Sequence, residues 1–395
     1  MIGDGWDGDP SVRPESARSD DDTRRRVAVV TGSRAEYGLL RPVMRAIDAR
    51  GDLQLQVIAA GSHLIPPALT FRDVKRDFEI ADSVPMQVAG RSTRFDDAES
   101  VGRGVARFAR SFQALDPHWV VVLGDRIEAF AAASAASIGG RAVAHLHGGD
   151  RAEGVADEAM RHAITKLAHL HLPASEQSGE RIRRMGERPE HVRVVGSPAL
   201  DELPDIEPLD DELFEQLGQP DVLVLFHPVG RHPEEEEHTS SLVLEAAGQY
   251  GRVLALHPNH DAGRNGILRA IQHSGVRTVE HLPRDRFVGL LKRMASGGGV
   301  LVGNSSAALI EAAALKLACV DVGPRQGGRE HASNVVHVDG GSGESIAGAI
   351  GRAKALDLSD LAHPYGDGRT GERVAQDLAA VDPRDRTLLR KRIVY

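Results

Sequence analysis

From Arg26 onward one pattern recurs: a short run of β-branched and aliphatic residues, a turn with glycine and ionisable side chains, then a longer stretch with helical spacing. A run such as Trp119-Val120-Val121-Val122-Leu123 has no polar face, so a strand made from it must be covered on both sides. Strands of that kind separated by helices build a parallel sheet flanked by helices. The expected strands of a first unit are 27–31, 53–60, 119–123, 142–146, 169–172 and 192–195, with helices at 37–49, 100–115, 128–137, 157–167 and 176–185. The pattern stops at 197–220, which is rich in Pro, Asp and Glu. It resumes with strands at 222–226, 253–256, 276–280, 299–302 and 318–322 and helices at 240–250, 263–273, 285–294 and 307–315. Two helix-compatible segments, 342–355 and 370–381, either close the second unit or cross back to the first. The expected fold class is therefore α/β, with two Rossmann-like domains facing each other across a cleft. The division is 1–25 as a disordered tail, 26–200, 201–365, and a C-terminal 366–395 helix or tail. A length of 395 residues suffices for two cores.

Composition excludes several classes of function. A formal charge of −9 argues against general nucleic-acid binding, which needs a basic face, but leaves room for a nucleotide ligand. The longest apolar runs are broken by Gly, Ser or a charge well before the ~18 residues of a membrane span. Cys319 is the only cysteine, so no intrachain disulfide can form and no zinc site can be built on thiolates; its apolar run suggests core packing. The polar, Asp/Arg/Gly-rich first two dozen residues contain nothing like a signal peptide, so a cytoplasmic location is expected.

The turns after the strands carry the chemistry. Thr31-Gly32-Ser33-Arg34 opens a helix whose free N–H groups suit an anion, with Arg34 as a possible phosphate contact; an ordinary strand-to-helix turn explains it equally well. Asp125 in Leu123-Gly124-Asp125-Arg126 sits at a strand's carboxyl end, as a base, a sugar-hydroxyl acceptor or a helix cap. The densest cluster is His145-Leu146-His147-Gly148-Gly149-Asp150, followed by Asp157-Glu158-Ala159-Met160-Arg161-His162. Alternation along a strand puts His145 and His147 on opposite sides, with His145 packed and His147 turned to the site. The spacing of His147, Asp150 and Asp157 matches no standard zinc or calcium pattern. Two carboxylates and an imidazole in separate environments suit proton transfer instead. In the second half, His227, Asn259 with Asp261, and Gly303-Asn304-Ser305-Ser306 follow strands, and the last suits a phosphate at a helix start. No Gly-x-Ser-x-Gly nucleophile elbow is present.

Taken together, the blocks VTGSRAEYGLL (30–40), LGDRIE (123–128), HLHGGDRAEGVADEAMRHAITKLAHLH (145–171), 226–229, 258–263, 303–311 and GPRQGGR (323–329) resemble the UDP-N-acetylglucosamine 2-epimerase family. The likeness is to its hydrolysing branch, which feeds sialic-acid-type sugars. The resemblance implies a glycosyltransferase-B-like fold holding a UDP-sugar between its domains. It implies C2 proton abstraction with loss of UDP, then water addition at C1 and reprotonation at C2. By matching position Asp125 and Asp157 are acid/base residues, and His147 and Asp150 share in proton transfer; Asp150 stands where Glu is usual. Gly32, Arg34, Arg126, His227, Asn259, Ser305, Ser306 and Arg325 face the diphosphate, Glu311 the ribose, and Leu282 lies in the uracil-side loop. The resemblance implies no metal or redox cofactor, and a homodimer or dimer of dimers. UDP-N-acetylglucosamine is the expected substrate, with UDP-N,N′-diacetylbacillosamine the alternative. A glycosyltransferase of the same fold and a nucleotide-sugar-binding regulator are the readings of other classes.

Overall fold

The computed structural model describes residues 23–66, 68–91, 93–151, 158–259 and 263–394. In the first half the elements are β1 (Arg25–Thr31), α1 (Arg34–Asp48), β2 (Leu53–Ala60), α2 (Phe71–Asp77), β3 (Ile80–Val84) and α3 (Arg94–Leu115). They continue with β4 (Trp119–Leu123), α4 (Ile127–Ile138), β5 (Ala142–Leu146), α5 (Glu158–Leu167), β6 (Leu170–Leu172) and α6 (Glu176–Arg184). After α7 (Asp211–Gln216) come β7 (Val222–Leu225), α8 (Pro233–Gly248), β8 (Val253–Leu256), α9 (Arg264–Ser274), β9 (Arg277–Val279) and α10 (Arg284–Ser296). The chain ends with β10 (Val300–Gly303), α11 (Glu311–Ala314), β11 (Ala318–Val322), β12 (Val335–Val338), α12 (Gly343–Lys354), α13 (Thr370–Ala380) and α14 (Arg386–Leu389).

The strands form two six-stranded sheets, β3-β2-β1-β4-β5-β6 and β12-β11-β10-β7-β8-β9, and every pairing is parallel. Both have the doubly wound order, in which the winding reverses between the first and fourth strands. Alternate residues feed opposite layers: Val27 and Val29 join one cluster with α1, while Ala28 and Val30 join another with α3 and α4. β7 does the same in the second sheet, with Val222 and Val224 on one face and Leu223 and Leu225 on the other. Among the described residues no helix is long and apolar enough to cross a membrane.

The last helices return to the first sheet. Val374, Ala375 and Leu378 of α13 and Leu388 of α14 lie in the cluster of Val27, Leu40 and Trp119, and the Trp119 indole N–H donates to Leu378 O at 3.1 Å. The outgoing and returning chains cross at Gly196 and Gly366, both with φ +93°. A Cβ on Gly366 would stand 3.0 Å from Gly196 Cα, and Ser197 N–H donates to Tyr365 O at 2.8 Å.

Several expectations need correction. The 192–195 segment is not a strand: it makes one isolated bridge, Val192 with His171, and although Val195 N–H donates to Pro173 O at 3.1 Å, Pro173 has no N–H to extend the ladder. Arg25, assigned to the tail, begins β1 and donates to Leu378 O and Val381 O at 3.0 and 2.8 Å. The expected 307–315 helix is broken into a 3-10 turn, Ser306–Ala308, and the short α11. β3, β12, α2 and α7 were not anticipated. Cys319 is fully buried in β11, and burial pushes its thiol far up.

Candidate functional site

Ligands in doubly wound sheets bind outside the carboxyl ends of the strands where the winding reverses. In the first sheet those ends are β1 and β4, which deliver Gly32 and Arg34 on one side and Gly124, Asp125 and Arg126 on the other. In the second sheet they are β7 and β10, which deliver His227 and Asn304-Ser305-Ser306.

The centre of the first group is the turn after β5. His147 lies one residue past the strand in the left-handed conformation (φ +58°), so strand alternation does not set its direction. Instead its ring is held from both sides: Nδ1 is 2.8 Å from Asp150 Oδ2 and Nε2 is 3.1 Å from Ser197 Oγ. His145, inside the strand, donates from Nε2 to Gly124 O at 2.7 Å, which ties the β5 turn to the β4 turn. Burial brings His145 down to about 3, so it stays neutral. Gly149 is obligatory, because a side chain there would strike the Ser178 carbonyl and φ is +74°.

Asp150 is 3% exposed but well supplied with donors. Ser178 Oγ donates to Oδ1 at 2.8 Å, and Arg329 of the second half reaches Oδ2 at 3.3 Å. Burial pushes its pKa upward, but His147, Arg329 and Ser178 outweigh it and leave the carboxyl at about 2. Asp150 is therefore a fixed carboxylate at neutral pH, suited to orienting the imidazole. Asp125 is paired with Arg161, whose other terminal nitrogen donates to Asp150 O at 3.0 Å. Asp157 lies outside the described residues, as does Asp261.

In the second half His227 is fixed by Asn304. His227 N–H donates to Asn304 Oδ1 at 2.7 Å, and Asn304 Nδ2 returns a bond to His227 O at 2.8 Å. Asn259 N–H donates to His227 Nδ1 at 3.2 Å, which leaves the ring proton on Nε2. Burial, then Arg325, lowers His227 to about 3, so it presents a neutral N–H donor. Arg325 and Gln326 donate to Asn304 O at 3.1 and 2.8 Å. Gln326 also accepts from Arg329 at 2.9 Å. One polar chain thus runs from His227 through Asn304, Gln326, Arg329 and Asp150 to His147, and so links the two halves.

The remaining candidates line the surroundings. Ser305 caps the 3-10 turn, its Oγ accepting from Ala307 N–H at 3.3 Å, and Ser306 opens that turn. Arg34 is exposed at the start of α1, in electrostatic reach of Asp73 and of Glu280 across the cleft. Burial, then Arg34, lowers the neighbouring His281 to about 4. Leu282 is buried in the second core. Glu311 stands apart from the His147 group, 3.2 Å from Arg284, which also donates to Ala199 O. Sequence reasoning did not assign roles to Arg161, Ser178, Ser197 or Arg329. Arg161 and Arg329 do sit inside the matching blocks, and an arginine beside paired glycines, as in Gly327-Gly328-Arg329, is a usable signal.

The sequence profile of the UDP-N-acetylglucosamine 2-epimerase family matches residues 45–379. The chain belongs to this family. It is 36% identical over 371 residues to a UDP-N,N′-diacetylbacillosamine 2-epimerase (hydrolyzing) of Legionella pneumophila, covering 90% of this chain and 96% of that one. It is 30% identical over 371 residues to a UDP-N-acetylglucosamine 2-epimerase of Neisseria meningitidis, covering 89% and 94%. Among solved structures the UDP-GlcNAc 2-epimerase of Methanocaldococcus jannaschii superposes with a TM-score of 0.75 at 17% identity, covering 89% of this chain and 99% of that chain. That likeness shows a glycosyltransferase-B-like architecture. The protein is an epimerase of the hydrolysing type, which sets aside the glycosyltransferase and binding-regulator readings.

Proposed function

We propose that the enzyme hydrolyses and epimerises UDP-N,N′-diacetylbacillosamine, releasing UDP and the free 2-epimeric sugar. The observation that carries this choice is the Legionella pneumophila relative, 36% identical over 90% of the chain and named for that reaction. It reverses the order expected from sequence, which put UDP-N-acetylglucosamine first. A 27% identical relative from Campylobacter jejuni, named a GDP/UDP-N,N′-diacetylbacillosamine 2-epimerase (hydrolyzing), points the same way. UDP-N-acetylglucosamine is the second reading, favoured by the Neisseria meningitidis relative.

In this reading the diphosphate sits between the helix starts of the two sheets, against Gly32, Arg34 and Arg126 on one side and Ser305, Ser306 and Arg325 on the other. His227, neutral with its proton on Nε2, donates to a phosphate oxygen, and Asn259 fixes that tautomer. Leu282 borders the base and Glu311 takes the ribose hydroxyls once Arg284 yields. One of Asp125 and Asp157 takes the C2 proton as UDP leaves C1, giving a C1=C2 double bond; water then adds at C1 while the other returns a proton to C2 on the opposite face. His147, with both ring nitrogens held by Asp150 and Ser197, fixes the turn beside them.

The test is incubation of the purified protein with each UDP-sugar in deuterated water, followed by NMR. Deuterium at C2 of a free 2-epimer, formed faster from the diacetylbacillosamine nucleotide, supports the proposal. Faster turnover of UDP-N-acetylglucosamine overturns the substrate choice, and UDP release without C2 exchange overturns the mechanism.

A further inference from the structure

Directly beneath the β1 turn lie two buried carboxyls that the reaction above does not use. Glu128, in the first turn of α4, is 0% exposed. Its side chain runs between two glycines: a Cβ on Gly32 would come 2.5 Å from Glu128 Cγ, and one on Gly61 would strike its carboxyl oxygen. Glu128 Oε2 is 3.3 Å from Arg126 Nε, and Oε1 is buried with no hydrogen-bond partner. Glu36, on the first turn of α1 and 4% exposed, accepts the Gly32 N–H at 2.7 Å. The wall beyond Gly61 is neutral. His63 spans Thr31 Oγ1 at 3.0 Å and Thr70 Oγ1 at 2.6 Å, and burial, then Arg126, lowers it to about 4. Ser62 Oγ donates to Gly32 O at 2.7 Å.

Two buried carboxyls therefore share one half-exposed guanidinium: Arg126 touches Glu128 and acts on Glu36 through space. If both were ionised, one negative charge would be buried without a counterion, a costly arrangement that protonation relieves. Burial, and then Glu128, pushes Glu36 up to about 8. The gap left by Gly32 and Gly61 is filled by the Glu128 side chain, so a side chain at either glycine would displace it.

We propose that Glu36 and Glu128 are positioning residues that carry one negative charge between them, and that this charge holds Arg126 and the Gly32 turn in place for a nucleoside diphosphate. This deepens the functional reading and rests on its placement of the diphosphate. With one proton on the pair, the two carboxyls and Arg126 sum to zero. Once that proton leaves, the site beneath the diphosphate is net negative and Arg126 is drawn toward the carboxylates. Affinity for a diphosphate then falls as pH rises through the upper carboxyl's titration.

Calorimetry with UDP on the full-length protein, from about pH 6 to about pH 9, tests this directly. The wild type is expected to bind evenly to about pH 7.5 and then lose roughly tenfold in affinity by about pH 9. Glu36→Gln is expected to hold its affinity across the range. Glu128→Gln is expected to bind UDP about tenfold more weakly throughout, raising KM while kcat stays within about threefold. Identical pH profiles for wild type and Glu36→Gln overturn the proposal. So does Glu128→Gln with unchanged affinity, or with lowered kcat at unchanged affinity. If Glu128→Gln does not fold, as thermal melts would show, the Glu36→Gln profile decides alone. Turnover by the wild type reports on the epimerase reading separately, because UDP binding is measured without it.

Discussion

Replacing Glu36 by Gln should make the protein more stable at neutral pH, the reverse of the usual result for deleting a buried hydrogen-bonded charge. The unfolded chain releases the Glu36 proton near its ordinary 4.5, whereas the folded protein holds it until about 8. Between those values the unfolded state binds fewer protons, so stability falls as pH rises. At ~1.4 kcal/mol per unit, the loss near pH 7 is on the order of 3 kcal/mol and levels off above about pH 8. Gln cannot ionise, and its amide oxygen can still accept the Gly32 N–H that Glu36 now accepts at 2.7 Å. Its amide NH2 adds a donor in a cluster where Glu128 Oε1 has none. The expected outcome is a melting temperature within a degree or two of wild type near pH 5 and roughly 5–10 °C higher near pH 8. Thermal unfolding by circular dichroism across that range measures it. A variant no more stable than wild type near pH 8, or a gap that does not grow with pH, would show that Glu36 is ionised in the fold.

Three further outcomes are expected. Asp125→Asn should keep UDP affinity within about threefold while losing at least ~100-fold in kcat, because its partner Arg161 remains anchored on Asp150 O at 3.0 Å; near-normal turnover would remove Asp125 from the chemistry. Leu378→Ala, at a fully buried position, should cost ~2–5 kcal/mol in denaturant unfolding, and a loss under about 1 kcal/mol would mean α13 is not core to the first sheet. Glu187, 4% exposed, lies 2.5 Å from Lys166, 2.8 Å from Lys391 and 3.1 Å from His171. Burial works against its charge, but these partners win and bring it to about 2. Its stabilisation is present above its ordinary 4.5 and lost as pH falls toward about 2. Glu187→Gln should accordingly melt earlier than wild type near pH 7, with the gap closing in acid.

The central strands could be read from the chain because burial on both faces writes an uninterrupted apolar run, as in β4 and β5, each buried along its whole length. Two of the edge strands, β3 and β12, lack that signature. β3 contains Asp82 and Ser83 and buries only Val84, while β12 buries none of its residues fully. The false strand at 192–195 has the right composition, but its neighbour carries Pro173, which cannot donate to the ladder, and the segment's own composition does not register that. The site was legible as a set of turns but not as a set of contacts. Arg329 meets Asp150 across 179 positions, and Ser197 meets His147 across 50. Glu36 and Glu128 read as first-turn acids of the kind that ordinarily face water and favour the helix dipole. Their burial follows from Gly32 and Gly61, two residues whose meaning appears only when β1, β2 and β4 are side by side.

The return of α13 has a consequence for how the protein is made. During synthesis the first sheet emerges well before Val374, Ala375 and Leu378, which complete its core beside Leu40 and Trp119. Until the ribosome has delivered the end of the chain, that apolar face stays uncovered while the whole second half is being assembled. The order of folding is thereby inverted: the half that begins first should finish last, and a chain stopped short of residue 370 should hold a folded second sheet beside an aggregation-prone first one. Supplying 366–395 in trans to such a truncated chain should rescue its solubility.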